Sequence, residues 1–163
     1  MANELVPVTP DVLDIARELI AEHEDHLNDA AIAFLFWSEG SQSAGRIVLG
    51  KAEKVNKKYQ ALGFDYDFII FLNMPVYISL DEMQRRALIH HELLHCIFDE
   101  DEKASIAPHD LEEFNKIIRM YGFWWPSAEP TVSAVQVALP MMELRSMGRV
   151  ETLDPVAISR MHN

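Results

Sequence analysis

The stretch from residue 79 to residue 97 restricts the possible folds of this chain most strongly, because it joins a helix start signal to an apolar stripe. Ser79 and Glu82 stand three apart in the pattern of a capping box, in which each side chain satisfies an exposed amide of the first turn. Apolar residues then recur at helical spacing as far as Ile97, just before the acidic residues 99–102. We therefore predict a helix that begins at this cap and continues to Ile97.

This helix carries two histidines four positions apart, His91 and His95, which therefore lie on one helical face. Imidazole nitrogens on one face at this spacing can bind a single zinc ion. Glu92 follows His91 along the chain and is rotated away from the metal, so that it can act as general base on a zinc-bound water. The HExxH spacing thus predicts a hydrolytic zinc site with two histidine ligands and a glutamate base.

Catalytic zinc usually has three protein ligands, so a further ligand must come from outside this helix. His109 lies 14 residues beyond His95, at the start of a second helix predicted over residues 108–121. Pro108 stands in the first turn of this helix, and Gly122 follows its end. Glu112 and Glu113 lie one turn further along the same helix and offer carboxylates instead. We favour His109 as the third ligand and keep the two glutamates as alternatives.

The remaining periodicity predicts a small α+β domain. Residues 9–27 have the amphipathic pattern of an N-terminal helix, and three short apolar segments predict strands. These segments are residues 30–37, 46–49 and 66–72. We expect a mostly antiparallel sheet of about three strands, packed with the N-terminal helix and the two zinc-binding helices. This domain would cover residues 1–125, and residues 126–163 would form an extended, partly docked tail.

Composition restricts the partners and the compartment. Acidic residues outnumber basic ones by 26 to 14, and the net charge of -12 argues against nucleic acid as the main partner. Cys96 is the one cysteine, so any zinc must be held by histidine and carboxylate, and a reducing compartment is expected. No signal peptide is visible, and no apolar run approaches the roughly 20 residues that span a bilayer. We expect a soluble cytoplasmic protein without membrane partners.

Basic residues are concentrated in one short segment. Five of the 14 lie between residues 46 and 58, namely Arg46, Lys51, Lys54, Lys57 and Lys58. A solvated helix face is the favoured interpretation of this segment. The alternative is a docking patch for an acidic partner, which leaves open a weak local association with DNA.

The two predicted helices and their neighbours carry a recognisable set of motifs. The set comprises His91-Glu92-Leu93-Leu94-His95, Pro108-His109-Asp110-Leu111-Glu112-Glu113-Phe114 and Tyr121-Gly122, with Asp67-Phe68-Ile69-Ile70 and Gln84-Arg85-Arg86-Ala87-Leu88 upstream. Over about residues 30 to 125, the chain resembles the putative phage metallopeptidase family. It is also similar to the SprT-like and WLM-type zinc proteases, in which a histidine ligand opening a second helix follows the HExxH helix.

The resemblance implies a zincin-like core and a peptidase activity. Carried over residue by residue, it implies zinc on His91, His95 and His109, with Glu92 as general base. It also implies a protein or peptide substrate and a phage-encoded protein that acts in the host cytoplasm. Family members often have an acidic residue directly before HExxH, where this chain has His90.

Three residues near the motifs are candidates for supporting roles. Asp110 could accept a hydrogen bond from a ligand histidine, although acids are equally common in the first turn of a helix. Tyr121 could donate to the oxyanion that develops during hydrolysis, with packing as its alternative role. His90 either tunes the site or faces solvent.

Two other classes of function are compatible with the sequence. A zinc-binding interaction domain that cleaves nothing would have a fourth protein ligand, such as Glu112 or Glu113. An acidic regulatory factor associated with protein or DNA would need no metal. The HExxH pattern and its helical context favour the zinc-dependent metallopeptidase over both.

Overall fold

The computed structural model describes residues 3–109, 115–122, 124 and 149–153. Its strands are β1 (Leu5–Pro7), β2 (Ala31–Trp37), β3 (Ser41–Ser43), β4 (Arg46–Val48), β5 (Gly50–Lys54), β6 (Phe68–Asn73), β7 (Cys96–Phe98), β8 (Ala104–Ile106) and β9 (Arg149–Thr152). Its helices are α1 (Pro10–His23), α2 (Lys57–Ala61), α3 (Met74–Ser79), α4 (Glu82–His95) and α5 (Asn115–Tyr121), with a 3₁₀ turn at Asp25–Leu27. The mixture of helices and small sheets confirms the predicted α+β class.

The main sheet has five strands in the described part of the chain, and β2 pairs with three of them. Both β6 and β9 pair with β2 in parallel, whereas the β1–β2 and β5–β6 pairs are antiparallel. The sheet is therefore larger than the predicted three strands and mixed in direction rather than mostly antiparallel. The strand predicted at residues 46–49 lies outside it, because β4 forms a separate hairpin with β3.

The residue patterns explain these differences. Strand β6 is buried along its whole length and β2 along all but its two ends, as expected of strands covered on both faces. Continuous apolar runs of this kind predict a strand but carry no information about its direction. Strands β1 and β5 have the sequences Leu-Val-Pro and Gly-Lys-Ala-Glu-Lys, which lack the hydrophobic alternation that marks a strand.

Side chains of β2 and β6 alternate between two hydrophobic cores. The core on the helical side of the sheet includes Ile32, Phe34, Phe68 and Ile70, together with Leu19 of α1 and Leu88, Ile89 and Leu93 of α4. Full burial of an aliphatic or aromatic side chain contributes about 1.5–3 kcal/mol. This packing holds α4 against the sheet in one orientation, and that orientation determines where its histidines lie.

The N-terminus of α4 differs by two residues from the predicted cap. Asp81 is the N-cap: its carboxylate accepts from the Gln84 amide at 2.8 Å, and the Gln84 side chain accepts from the Asp81 amide at 3.0 Å. The predicted capping box of Ser79 and Glu82 is wrong, because Ser79 ends α3 and its hydroxyl donates to the carbonyl of Val76. Two overlapping capping patterns occur in the sequence, and only tertiary contacts choose between them.

The C-terminus of α4 lies at His95, two residues before the predicted end. Cys96 has extended backbone dihedral angles and begins β7, which pairs with β8 to form an antiparallel hairpin. The Ala107 amide then donates to the carbonyl of His95 at 2.8 Å. The hairpin therefore returns the chain directly to the end of the HExxH helix.

The second predicted helix begins later than expected. Pro108 and His109 have no regular secondary structure, so the predicted start at residue 108 is wrong, and residues 110–114 lie outside the described part of the chain. The described helix α5 ends before Gly122, whose φ of +68° matches the expected C-terminal glycine. Helix α1 also ends early, at His23, because Glu24 leaves helical geometry with φ -126° and ψ 56°.

Two further findings concern the predicted tail and the membrane. Strand β9 comes from the segment predicted to be a partly docked tail, and it pairs with residues 31–34 of β2. Among the residues that the structure describes, no helix is long and apolar enough to cross a membrane.

Candidate metal centre

Three histidines from two parts of the chain meet at one point. His91 and His95 project from adjacent turns of α4, with ring centroids 5.1 Å apart, as expected for positions four apart on a helix. The ring centroid of His109 lies 4.8 Å from that of His91 and 4.6 Å from that of His95. One nitrogen from each ring lies within 4.8 Å of the other two. The structure thus brings together the three histidines that the sequence predicts as ligands.

The distances within this cluster fit a bound zinc ion. Two nitrogens held about 2.0–2.1 Å from one tetrahedral zinc are separated by about 3.3 Å. The Nε2 atoms of His91 and His109 are 3.0 Å apart, close to that separation. Imidazole nitrogen is a common ligand for zinc, and three protein ligands are the usual number in catalytic zinc sites. In the described part of the chain, the donor set therefore fits a metal ion held by three imidazole nitrogens.

A backbone carbonyl orients one of these rings. The Nδ1 atom of His95 donates to the carbonyl oxygen of Ala107 at 2.6 Å. Because a carbonyl can only accept, Nδ1 carries the proton and Nε2 is the nitrogen that can bind a metal. Ala107 is the residue whose amide bonds the His95 carbonyl, so one residue of the returning chain fixes both the backbone and the ring.

The Glu92 carboxylate is buried on α4 beside this cluster, with 3% of the residue exposed. It packs against Gly50, the first residue of β5. A methyl group on Gly50 would lie 2.6 Å from Oε1 of Glu92 and 2.9 Å from its Cδ atom, both closer than real contacts allow. Only glycine leaves room for the carboxylate in its present position. The sequence around Gly50 indicates nothing more than a strand boundary, so this contact is not predictable from it.

Two of the predicted supporting residues contact each other. His90 is fully buried, its Nε2 donates to Oε1 of Glu24 at 2.7 Å, and its Nδ1 lies 3.1 Å from the hydroxyl of Tyr121. Burial lowers the pKa of His90, which favours the neutral ring, and burial raises the pKa of Tyr121 to about 12. The Tyr121 hydroxyl therefore stays protonated and donates to His90. Asp110 and the alternative ligands Glu112 and Glu113 lie outside the described residues.

Cys96 follows the last histidine of the motif but belongs to the core. Its side chain is buried, and this burial, followed by the nearby charge of Glu92, raises the pKa of the thiol well above its usual value. A neutral buried thiol is a poor metal ligand, because the thiolate is the form that binds. The donor atoms brought together in the described part of the chain are therefore the histidine nitrogens.

The fold and the site together define the class of protein. It is an α+β domain in which two histidines of an HExxH helix and a third from the following loop form a cluster suited to a metal ion. The chain belongs to the putative phage metallopeptidase family, whose family model matches residues 6–136. No curated protein and no solved structure matches the chain. The family implies a metal, a hydrolytic activity and a protein or peptide substrate.

Replacing each clustered histidine tests the ligand set. We expect His91→Ala, His95→Ala and His109→Ala each to lower the affinity for zinc by about 100-fold or more, because each removes one of three donors. Affinity is measured by competition with a chromogenic chelator. The control is Met83→Ala, which removes an exposed side chain of the same helix α4. Unchanged affinity in His109→Ala would exclude it as the third ligand and favour a carboxylate from residues 112–113.

Proposed function

We propose that this protein is a zinc-dependent metallopeptidase that hydrolyses peptide bonds, with Glu92 as its general base. The observation that carries the proposal is the convergence of three imidazole rings beside the buried Glu92 carboxylate, on one helix and the loop that returns to it. The family name supports a phage-encoded enzyme, and the lone cysteine fits a site of action in the host cytoplasm.

Zinc is the metal that the donor atoms favour. His91, His95 and His109 would hold it through neutral nitrogens, and such a site leaves a position for water or substrate. When bound, zinc supplies Lewis acidity, which lowers the pKa of water and polarises a carbonyl group. Harder cations such as Mg²⁺ and Ca²⁺ prefer oxygen ligands, so a three-histidine set argues against them.

Glu92 would move the proton during hydrolysis. It takes a proton from the attacking water and later delivers it to the nitrogen of the leaving amine. Glu92 follows His91 directly in the chain, so it lies next to the cluster along α4, but its side chain leaves the helix in a different direction. Packing against Gly50 limits the conformations of this carboxylate, so that it is held ready for proton transfer.

The edge of the main sheet at β5 is the path that we propose for an extended peptide. In the described part of the chain, β5 is hydrogen-bonded to one strand, β6, and so lies at an edge of the main sheet. The first residue of β5, Gly50, touches Glu92, so a peptide alongside β5 would pass next to the proposed base. Addition of a strand to a sheet edge is a common way of binding extended peptides.

A zinc-binding domain without catalysis is the main rival. A fourth protein ligand would close the site and favour this rival, whereas an accessible fourth position favours the enzyme. The rival gives Glu92 no chemical role, so a variant that changes only its proton affinity separates the two hypotheses.

Glu92→Gln is expected to keep zinc and lose activity. The amide has the size of the carboxylate but cannot accept a proton, so the rate should fall by about 100-fold or more. Zinc content is measured by mass spectrometry and hydrolysis with a library of internally quenched peptides. Glu82→Gln, an exposed carboxylate of the same helix, is the matched control. Cleavage of a genuine substrate at the wild-type rate by Glu92→Gln would contradict the mechanism.

Gly50→Ala is expected to lower activity through the proposed base. The added methyl group would meet Oε1, Cδ and Cγ of the buried Glu92 side chain and displace it, so the free energy of unfolding should fall by about 1–3 kcal/mol. The displaced carboxylate should lower kcat by about tenfold or more, while zinc affinity stays within about twofold. Lys51→Ala, the next residue of β5 with an exposed side chain, is the control. An unchanged kcat would show that Gly50 does not position the base.

A weak association with DNA is a second, separate candidate. All five basic side chains between residues 46 and 58 are exposed, but they lie on β4, β5 and α2 rather than on the predicted helix face. Fluorescence anisotropy with a labelled duplex should give a Kd of roughly 1–100 μM at low salt that weakens as salt rises. Lys57→Glu should abolish this binding and Lys103→Glu should not. Absence of binding at low salt would remove the candidate.

A further inference from the structure

A polar cluster lies behind the HExxH helix and joins three helices. It consists of Glu24 after α1, His90 on α4, and Lys116 and Tyr121 on α5, and we call it the Glu24 network. Glu24 is 4% exposed and His90 is fully buried. Ionisable groups are rarely buried to this extent unless they are paired. The contacts within the network therefore have to offset the free-energy cost of burying Glu24 and His90.

Glu24 is the acceptor at the centre of the network. Its Oε1 atom accepts from Nε2 of His90 at 2.7 Å and from the ammonium group of Lys116. The same ammonium group donates to the carbonyl oxygen of His23 at 2.9 Å. Lys116 therefore connects α5 to the end of α1 through two separate acceptors.

His90 extends the network to the other end of α5. Because its Nε2 carries the proton donated to Glu24, its Nδ1 accepts from the hydroxyl of Tyr121 at 3.1 Å. The ring also contacts Tyr121 edge to face, with centroids 5.9 Å apart. Lys116 and Tyr121 thus attach both ends of the described α5, with the fully buried Ile117 between them.

These contacts bear directly on His109, which lies between two attached parts of the chain. On one side, Ala107 is bonded to both the backbone and the ring of His95. On the other side, α5 is held against α1 and α4 by the Glu24 network. Pro108 alone separates His109 from Ala107, and six residues separate it from Lys116.

We propose that the Glu24 network is a positioning device that holds His109 against His91 and His95 by docking α5 in one register. The inference rests on the ligand set of the proposed function. Apolar side chains could dock α5 with equal stability, since ion pairs seldom stabilise more than well-packed hydrophobic residues and the Lys116 side chain is 40% exposed. Directional bonds to Glu24 and His90 fix the position of α5 along its helix axis. A ligand histidine needs its ring to be held in one place, and we infer that a fixed α5 provides this.

A double-mutant cycle on the full-length chain tests the proposal. We expect Lys116→Met to lower the affinity for zinc, measured by chelator competition, by about 10-fold or more. In the His109→Ala background the same substitution should change the affinity by less than about twofold, because the residue through which it acts is gone. Tyr121→Phe, which removes a single hydroxyl group, should give a smaller loss with the same dependence on His109.

The control is Arg85→Met. Arg85 is a cation of α4, and among the described residues it contacts α3 and α1 rather than α5: it donates to the carbonyls of Tyr77 and Ile78 and pairs with Asp11. It should leave the affinity for zinc unchanged, and circular dichroism should show that all variants fold.

Two results would overturn the positioning role. One is an unchanged zinc affinity in both Lys116→Met and Tyr121→Phe, and the other is an equal loss with and without His109. Either result leaves the peptidase proposal standing. If His109→Ala itself keeps full affinity for zinc, His109 is not a ligand and the positioning role fails, whereas the peptidase proposal then takes its third ligand from the carboxylates of residues 112–113.

Discussion

The packing of α4 against the sheet is the constraint on which the rest of the site depends. Leu88, Ile89 and Leu93 are buried in the core with the side chains of β2 and β6. The side chains of a helix leave it at fixed angles around its axis. Burial of the apolar face of α4 therefore places His91 and His95 on a different face, where they are half-buried. The hydrophobic core thus sets the geometry of the polar site.

The third histidine depends on backbone geometry after the helix. The change from helix to strand at Cys96 starts a hairpin that brings Ala107 back to His95, where it bonds both the main chain and the ring. On the opposite side of α4, the buried Glu24 accepts from His90 and Lys116 and connects α5 to the same helix. Apolar packing, a hairpin and a partly buried polar network therefore act together on a few side chains.

The sequence predicts those parts of this arrangement that depend on local spacing. The amphipathic α1, the apolar β2 and β6, and the HExxH helix all follow from periodicity, and the clustered histidines follow from ligand spacing. Features that depend on distant contacts could not be predicted. The bond between His90 and Glu24 joins residues 66 apart, and the contact of Gly50 with Glu92 requires knowledge of sheet order. Parallel pairing of β2 with β6 is likewise invisible in two uniformly apolar runs.

The most direct test of the central claim is a crystal structure of the zinc-loaded protein with anomalous diffraction at the zinc edge. The account predicts one peak, bounded by nitrogens of His91, His95 and His109 at about 2.0–2.1 Å, with solvent at a remaining position beside Glu92. A peak with a fourth protein ligand, or a peak that His109 does not approach, would contradict it.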